Sequence, residues 1–270
     1  MSDTNEFVLV VSRRRRHYNE RKRSNRGTTQ VPENCEVDYE HLLRTVGSTL
    51  VEVGDTPFAR LVLSQLTESL NILNSNGVPE VVCYGLGRFS QYRSPRCQLA
   101  LLLCLKERYG ARVYAYDPAF CPEEVRALGA LGIEIIETNE EGKRVVRAET
   151  TTLVYMPHCS RQLTNNFLYA NWGNRLSNCV LLANSFSGII DDHLHGDVSD
   201  TTGYILRIRP YVTETRLENS FSYGEVFNDL SIHIFPERDL LRVPPDFWDS
   251  REEPRYSTDE VEFIRATTQR

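Results

Sequence analysis

Between residues 77 and 184 the chain alternates short apolar runs rich in β-branched residues with segments of helical periodicity, and this alternation constrains the fold most. Strands that alternate with helices form βαβ units, in which each helix returns the chain to begin a parallel strand. The first run, Val81-Val82-Cys83-Tyr84, is apolar at every position, as in a strand buried on both faces. The sequence therefore predicts an α/β fold, a Rossmann-like three-layer sandwich with a mostly parallel central sheet.

Apolar runs and turn residues give the expected elements of this sandwich. Parallel strands are expected at residues 81–84, 112–116, 133–136, 152–156 and 180–183, and a C-terminal edge strand at residues 230–235. N-terminal helices are expected at residues 39–50 and from residue 57 to the stop at Asn76-Gly77, and further helices from residue 94 and at residues 123–131 and 163–172. A polar turn at residues 139–142 is expected to lead into a short β segment at residues 144–146.

Length and composition set the domain organisation. The chain has 270 residues, of which 40% are hydrophobic and 25% charged, so it can bury a sizeable core, and a wholly disordered protein is excluded. We expect one domain over residues 36–236, a basic and mostly disordered arm over residues 1–35, and a partly ordered acidic and polar tail over residues 237–270. Seven cysteines without CxxC spacing indicate reduced thiols rather than disulfides or a structural zinc site.

Charge is distributed unevenly along the chain. The first 30 residues carry eight basic and three acidic side chains, whereas the remaining residues carry 23 basic and 34 acidic ones. The basic clusters at residues 13–16 and 21–23 are typical of a nuclear import signal. Because the body is acidic and shows no nucleic-acid module, sequence-specific nucleic-acid binding is not expected. With no membrane-length apolar run and no secretory signal, an intracellular protein without membrane association is expected.

Polar residues follow the expected strands at the points where each strand ends. Ligands of open α/β sheets bind beyond the carboxyl ends of the strands, where the strand order reverses. This rule selects a candidate pocket for a small ligand or a protein partner, formed by Gly85, Gly87, Ser90, Asp117, Asn139, Glu140, Glu141, His158 and Asn184. The sequence does not identify a cofactor, and no catalytic residue or metal site is assigned.

Gly85, Gly87 and Asp117 allow two interpretations. A Gly-x-Gly turn after a first strand lets the backbone approach a nucleoside or phosphate, and an acid after the second strand accepts hydrogen bonds from ribose hydroxyls. However, Ser90 replaces the third glycine of the GxGxxG motif, and Asp117 follows Gly87 by 30 residues, where about 20 is usual. The alternative is that the glycines only turn the chain and Asp117 caps the next loop.

Three other groups of residues contain side chains that catalytic or metal sites use. His158-Cys159 follows a strand end, where an imidazole base or a thiolate nucleophile is conceivable, but a polar loop is favoured. The histidine- and aspartate-rich segment at residues 191–197 contains zinc and iron ligand types, yet a hydrated loop explains it better. Cys121-Pro122 is a dipeptide of some heme-responsive proteins, but a cysteine before a proline that begins a helix is common enough to explain it.

Six motifs in order resemble the SRR-like family, which is named for sensitivity to red light reduced. They lie at residues 84–90 (YGLGRFS), 98–100 (QLA), 116–120 (YDPAF), 139–144 (NEEGKR), 156–159 (MPHC) and 227–233 (FNDLSIH). The resemblance covers about residues 38–236. Its joint pattern is specific, although each motif alone is weak.

This resemblance implies a regulatory protein of the cytoplasm and nucleus, acting in circadian-clock input and, as in animal members, in heme biosynthesis. It supplies no catalytic residues, because no reaction is established for the family. The alternative function is a transferase that uses S-adenosylmethionine or a related nucleoside. In that case Gly85 and Gly87 would face the cofactor, Asp117 its ribose, and His158 or Asn139 the acceptor.

Overall fold

A seven-stranded mixed sheet forms the centre of the molecule. The computed structural model describes residues 37–194, 203–244 and 246–256. The strands are β1 (Glu80–Tyr84), β2 (Arg112–Tyr116), β3 (Ile133–Ile135), β4 (Thr152–Met156), β5 (Cys179–Asn184), β6 (Thr213–Arg216) and β7 (Leu230–Ile234). Their order in the sheet is β3-β2-β1-β4-β5-β7-β6. Strands β1 to β5 are parallel, and β7 pairs antiparallel with both β5 and β6.

Helices cover both faces of the sheet. They are α1 (Tyr39–Gly54), α2 (Pro57–Ile72), α3 (Arg93–Tyr109), α4 (Pro122–Ala130), α5 (Arg161–Ala170), α6 (Phe186–Leu194), α7 (Gly203–Ile208) and α8 (Glu237–Leu240). Side chains alternate along a strand, so Val81 and Cys83 of β1 pack in the core with α1 to α4, whereas Val82 and Tyr84 pack in the core with α5 to α8. The expected α/β architecture with three layers is confirmed.

Local sequence explains where the N-terminal helices begin and end. The Thr56 hydroxyl accepts a hydrogen bond from the Ala59 N–H at 3.1 Å, and Pro57 occupies the first turn, where its missing N–H costs nothing. Helix α2 then ends at Ile72, before the expected stop at residues 76–77. Helix α3 begins at Arg93, one residue before the expected start, and ends at Tyr109, where the following Gly110 adopts the left-handed conformation that favours glycine.

The C-terminal strand differs from the expectation of an edge strand. Strand β7 lies between β5 and β6, and all five of its residues are buried. The edge position belongs instead to β6, whose sequence Thr-Glu-Thr-Arg gave no strand signal. A polar edge strand of four residues is physically reasonable, because one side of its backbone is not paired within the sheet.

The β segment expected at residues 144–146 is absent, and this stretch is irregular. The Asn171 side chain satisfies its backbone, since Oδ1 accepts from the Val146 N–H at 2.9 Å and Nδ2 donates to the Arg144 carbonyl at 2.9 Å. One amide side chain thus replaces the pairing that a neighbouring strand would supply. As a result, the connection from β3 to β4, residues 136–151, contains no helix.

Residues 246–256, which we call the C-terminal strap, pack along α5 and α7. Phe247 stacks on Trp172 with ring centroids 5.0 Å apart, and Trp248 meets the same ring edge-on at 5.0 Å. Further along, Tyr256 Oη accepts from Asn165 Nδ2 at 3.0 Å. The basic arm and residues 257–270 lie outside the described residues. Within the described ranges, every helix is too short or too polar to cross a membrane.

Candidate functional site

The strand order reverses between β1 and β4, so the loops that follow these two strands diverge from one point of the sheet. A crevice at such a point is where open α/β sheets bind ligands, because backbone N–H groups and helix starts converge there. The loop after β1 contains Gly85, Gly87 and Ser90, and the loop after β4 contains His158 and Cys159. We call the carboxyl-end edge formed by these loops and Asp117 and Asn184 the rim.

Gly85 brings the two loops into direct contact. Its φ of +72° lies in the left-handed region, and a Cβ atom at this position would overlap the Cys159 Sγ. The Cys159 thiol donates to the Tyr84 carbonyl at 3.2 Å. Burial, with a smaller contribution from Asp117, raises the pKa of Cys159, so the thiol stays protonated and is a poor nucleophile. The space beside Gly85 is therefore occupied by the protein itself.

Gly87 and Asp117 are joined by a short hydrogen bond. The Gly87 N–H donates to Asp117 Oδ2 at 2.7 Å, and the Ala119 N–H donates to Oδ1 at 2.8 Å. Burial raises the pKa of Asp117, although these two N–H donors oppose the shift. A carboxylate oxygen accepts about two hydrogen bonds, so each oxygen retains capacity for a ligand hydroxyl. The glycine loop and the acid that follows β2 thus lie on the same side of the molecule.

Ser90 is held by a buried carboxylate that the sequence did not single out. The Ser90 N–H donates to Glu124 Oε1 at 2.7 Å, and the Cys121 N–H donates to Oε2 at 3.0 Å. Arg88 completes the group, with its Nε 3.2 Å from Oε2. Glu124 is fully buried and is the third residue of α4, the capping-box position. That position, three residues after Cys121, is the signal that could have identified it.

Glu140 is linked to the rim through Tyr84, the last residue of β1. The Tyr84 hydroxyl donates to Glu140 Oε2 at 2.7 Å, and Arg144 Nε lies 2.9 Å from the same oxygen. Burial, followed by this contact with Glu140, raises the pKa of Tyr84. In the same turn, the Asn139 side chain accepts from the Glu141 N–H at 3.0 Å. Asn139 and Glu141 therefore stabilise the turn in which Glu140 contacts Tyr84.

Asn184 fixes the loop that carries His158. Its Oδ1 accepts from the His158 N–H at 3.1 Å, and its Nδ2 donates to the Cys159 carbonyl at 2.9 Å. His158 has a φ of +56°, an uncommon conformation for a residue other than glycine. Because Cys159 also touches Gly85, the Asn184 clamp connects the end of β5 to the glycine loop.

The structure joins the candidate residues in two sets that the chain connects through Leu86. Gly87 is bonded to Asp117, and Gly85, His158 and Asn184 are joined through Cys159. Ser90 is bonded to Glu124, and Glu140 is linked to the second set through Tyr84. Asn139 and Glu141 lie a further step out. That these residues bind a common ligand stays a prediction.

A second buried polar network was not predicted, and it lies next to Asn184. Glu214 of β6 accepts from the Ser185 hydroxyl at 2.6 Å and from the Ser187 hydroxyl at 2.6 Å and N–H at 3.1 Å. His233 Nε2 lies 3.6 Å from a Glu214 carboxylate oxygen and 3.3 Å from the Phe186 amide nitrogen. The carboxylate thus binds the Ser187 N–H in the first turn of α6, where the helix favours a negative charge.

Among the residues that the structure describes, no three histidine, cysteine or acidic side chains are arranged to hold a metal ion. Part of the ligand-rich segment at residues 191–197 belongs to α6, which ends at Leu194, and residues 195–197 lie outside the described ranges. The dipeptide Cys121-Pro122 begins α4, with Cys121 buried at its N-cap.

Comparison with known proteins identifies the family. The model of the SRR1 domain matches residues 62–234. The chain belongs to the SRR1 domain family. The SRR1-like protein of Mus musculus is 30% identical over 234 residues, which cover 74% of this chain and 92% of the mouse protein. Protein SENSITIVITY TO RED LIGHT REDUCED 1 of Arabidopsis thaliana is 32% identical over 170 residues, covering 61% of each chain.

Solved structures similar to this SRR1-domain protein share only its general fold. The O-methyltransferase TomG of Streptomyces achromogenes, solved with SAM, gives a TM-score of 0.39 at 12% identity, over 72% of this chain and 89% of that one. The plantazolicin methyltransferase BpumL, solved with SAH, gives a TM-score of 0.32 at 11% identity, over 73% and 98%. Similarities of this size do not bear on activity.

Proposed function

We propose that this SRR1-domain protein is a regulator in circadian-clock input and heme biosynthesis, and that a small ligand at the rim controls it. Family membership supports the regulatory role, since the Arabidopsis relative is named for its effect on red-light sensitivity. The observation that carries the ligand proposal is the hydrogen bond of 2.7 Å between Gly87 and Asp117 beside the reversal of strand order. It keeps a carboxylate with spare acceptor capacity at the place where ligands of such sheets bind.

The ligand class follows from the groups that the rim offers. A carboxylate that already accepts hydrogen bonds from two N–H groups is suited to accept further hydrogen bonds from hydroxyl groups, and the hydroxyls of a ribose are spaced to reach one carboxylate. The protonated Cys159 thiol provides no nucleophile. These features favour reversible binding of a nucleoside-type molecule over covalent catalysis.

Isothermal titration calorimetry with adenosine, AMP and S-adenosylmethionine tests the ligand proposal. We expect saturable binding of at least one compound, weakened about tenfold or more by Asp117→Asn, because an amide loses the charge-assisted hydrogen bonds. Glu134→Gln is the matched control, since this exposed acid pairs with Arg112 away from the rim. Absence of heat with all three compounds, from protein with a native thermal transition, contradicts the proposal.

The transferase remains the second candidate function, because the same Asp117 would hold the ribose of S-adenosylmethionine. It additionally requires that a methyl group leave the cofactor, so S-adenosylhomocysteine must accumulate when the protein is incubated with cell extract. Binding of S-adenosylmethionine without turnover above that of the Asp117→Asn variant supports the regulatory function instead.

The regulatory process needs a test in the source organism. We expect that a strain without this protein shows an altered free-running period and altered porphyrin content, and that a chromosomal Asp117→Asn copy reproduces both changes. An unaltered period and unaltered porphyrin content in the deletion strain would contradict the proposed role in clock input and heme biosynthesis. That result would not contradict ligand binding at the rim.

We further propose a distribution between cytoplasm and nucleus, with the basic arm as the import signal. Deleting residues 12–26 removes both basic clusters and should lower the nuclear fraction of a fluorescent fusion. A matched fusion that lacks residues 257–270 should keep the distribution of the full chain. An unchanged nuclear fraction after deletion of residues 12–26 would discard the import signal.

A further inference from the structure

A cavity of about 390 Å³ lies on the sheet face formed by β1 and β2, away from the rim. Its walls include Glu80, Tyr114, Glu140, Lys143, Arg144 and Arg147. Glu80 is the first residue of β1, whereas the rim begins after the last residue of that strand. The cavity therefore extends toward the opposite end of the sheet from the glycine loop.

The cavity exists because the β3 to β4 connection has no helix. In a βαβ unit the crossover helix packs on the sheet and fills its face with apolar side chains. Here residues 136–151 cross this face as an irregular chain, which Gly142 fixes against α5. A Cβ atom on Gly142 would lie 2.9 Å from the Leu163 carbonyl oxygen, closer than real Cβ atoms approach. The irregular chain leaves space over Tyr114 and brings charged side chains to the edge of that space.

The charged groups of the cavity leave one cation without a partner. Arg144 is neutralised by Glu140, and its guanidinium lies 5.2 Å from the centroid of the Tyr114 ring. Lys143 contacts two carboxylates, Glu141 and Glu253, which do not belong to the cavity lining. Arg147 has no ion-pair or hydrogen-bond partner within the described ranges, so it is the lining cation that is left to pair with an external anion.

Glu253 of the C-terminal strap already places an anion on this site. Its carboxylate lies 2.6 Å from Lys143 Nζ, on the other side of which Glu141 lies at 2.8 Å. The Glu253 side chain is 59% exposed, so its ion pair is weak and exchangeable. The strap therefore supplies a carboxylate from the same chain where an external anion would bind.

We propose that this cavity binds a small molecule with two anionic groups, which Lys143 and Arg147 hold while Tyr114 contacts its skeleton, and that Glu253 competes for Lys143. Guanidinium and ammonium groups bind phosphates and carboxylates by charge-assisted hydrogen bonds. Lys143 and Arg147 both line the cavity, so one molecule with two anionic groups can pair with both. Glu140 belongs both to this lining and to the candidate pocket, but Tyr114, Lys143 and Arg147 lie outside the rim, so the site does not depend on the proposed function.

Calorimetric titration of the full chain with pyrophosphate and with succinate, each at constant ionic strength, tests this site and separates phosphate from carboxylate ligands. We expect one-to-one saturable binding of at least one probe. Arg147→Gln should weaken that binding about tenfold, because a charge-assisted hydrogen bond is lost. Arg216→Gln is the matched control, since this exposed arginine lies 3.8 Å from Asp229, outside the cavity lining, and its replacement should leave affinity unchanged.

Glu253→Gln gives a second test with the opposite sign. Removing the competing carboxylate should strengthen binding about threefold, the size expected for an exposed ion pair. Damage to the fold would weaken binding, so a gain in affinity cannot come from misfolding. No saturable binding of either probe, or equal affinity in the wild type and the Arg147→Gln and Glu253→Gln variants, would overturn the proposal. Asp117→Asn at the rim should leave pyrophosphate and succinate binding unchanged, which keeps the two sites distinguishable.

Discussion

At Gly85, a Cβ atom added by substitution would disturb the contact between the loop after β1 and the loop after β4. Its left-handed φ costs an alanine about 1–2 kcal/mol, and overlap of the new Cβ with Cys159 Sγ adds about 1–3 kcal/mol. Gly85→Ala should therefore lower the free energy of unfolding by about 2–5 kcal/mol, measured by urea denaturation. Adding Cys159→Ala removes the sulfur atom and should recover the packing part of that loss.

The control for the Gly85→Ala and Cys159→Ala variants is Gly110→Ala, directly after the last residue of α3. Gly110 has a similar φ of +59°, but no atom lies within 4 Å of the position of an added Cβ. This variant should lose only the conformational part, about 1–2 kcal/mol, and Cys159→Ala should not change its loss. An equal decrease in the free energy of unfolding for Gly85→Ala and Gly110→Ala would show that the overlap with Cys159 does not contribute to the loss of stability.

At the scale of elements, Glu214 attaches helix α6 to the edge strand β6. Burial acts to raise the pKa of Glu214, but the neighbouring His233 and the hydroxyls of Ser185 and Ser187 outweigh it, so the pKa is lowered below 4.5. Arg209 adds a cation 3.9 Å from the carboxylate. Because the folded pKa is depressed, this group stabilises the fold above pH 4.5 and loses that contribution as the pH falls further.

Glu214→Gln tests the linkage between this carboxylate and pH. At pH 7 the variant should be less stable than the wild type by about 2 kcal/mol, because charge-assisted hydrogen bonds become neutral ones. Urea denaturation at pH 7, 5 and 3.5 should show the difference shrinking below about pH 4.5, where the unfolded wild type takes up a proton. A difference that is constant over this range would mean that the ionised form of Glu214 is not favoured in the fold.

The elements that the sequence predicted best are those whose signal is local. Strands β2 and β4 were predicted to the residue, because their apolar runs end at Asp117-Pro118 and Pro157. Strand β6 could not be predicted from four polar residues, since its pairing comes from β7, which follows it by more than ten residues. The irregular stretch at residues 144–146 was mistaken for a strand because its hydrogen-bond partner, Asn171, is 25 residues away from Val146.

At the rim, too, the features with a signal in the sequence could be predicted, and the contacts between residues distant in the chain could not. Gly85, Gly87 and Asp117 could be predicted because a topological rule brings strand ends together whatever the intervening sequence. The capping-box position marks Glu124, but its contact with Ser90 joins residues 34 apart and the contact of Cys159 with Tyr84 joins residues 75 apart, and no local pattern encodes either contact. Their side chains complete the loop geometry that the glycines begin.

For the whole molecule, the C-terminal strap completes the core on the α5 side. Trp172 is 7% exposed and is covered by Phe247 and Trp248. Removing residues 246–270 leaves Trp172 as the single tryptophan, and we expect its fluorescence emission to move to longer wavelength as water reaches the ring. The free energy of unfolding should fall by about 3 kcal/mol, the burial energy of one large aromatic side chain.

Trp248→Phe in the full chain is the reference for this experiment, because it also has Trp172 alone but keeps the strap. Its emission should stay at short wavelength and its urea midpoint close to that of the wild type. Identical emission from the truncated chain and from Trp248→Phe would mean that the strap does not shield Trp172.

The position of β7 between β5 and β6 also determines when the sheet can close during synthesis. Strands β1 to β5 emerge from the ribosome in sequence and can pair as they appear, but β6 emerges before β7, the strand it pairs with in the sheet. Until residue 234 has left the exit tunnel, the nascent chain exposes the unpaired side of β5 together with a detached segment at residues 213–216. A pause in translation shortly before that point would prolong a state prone to aggregation, since unpaired strand edges recruit other chains.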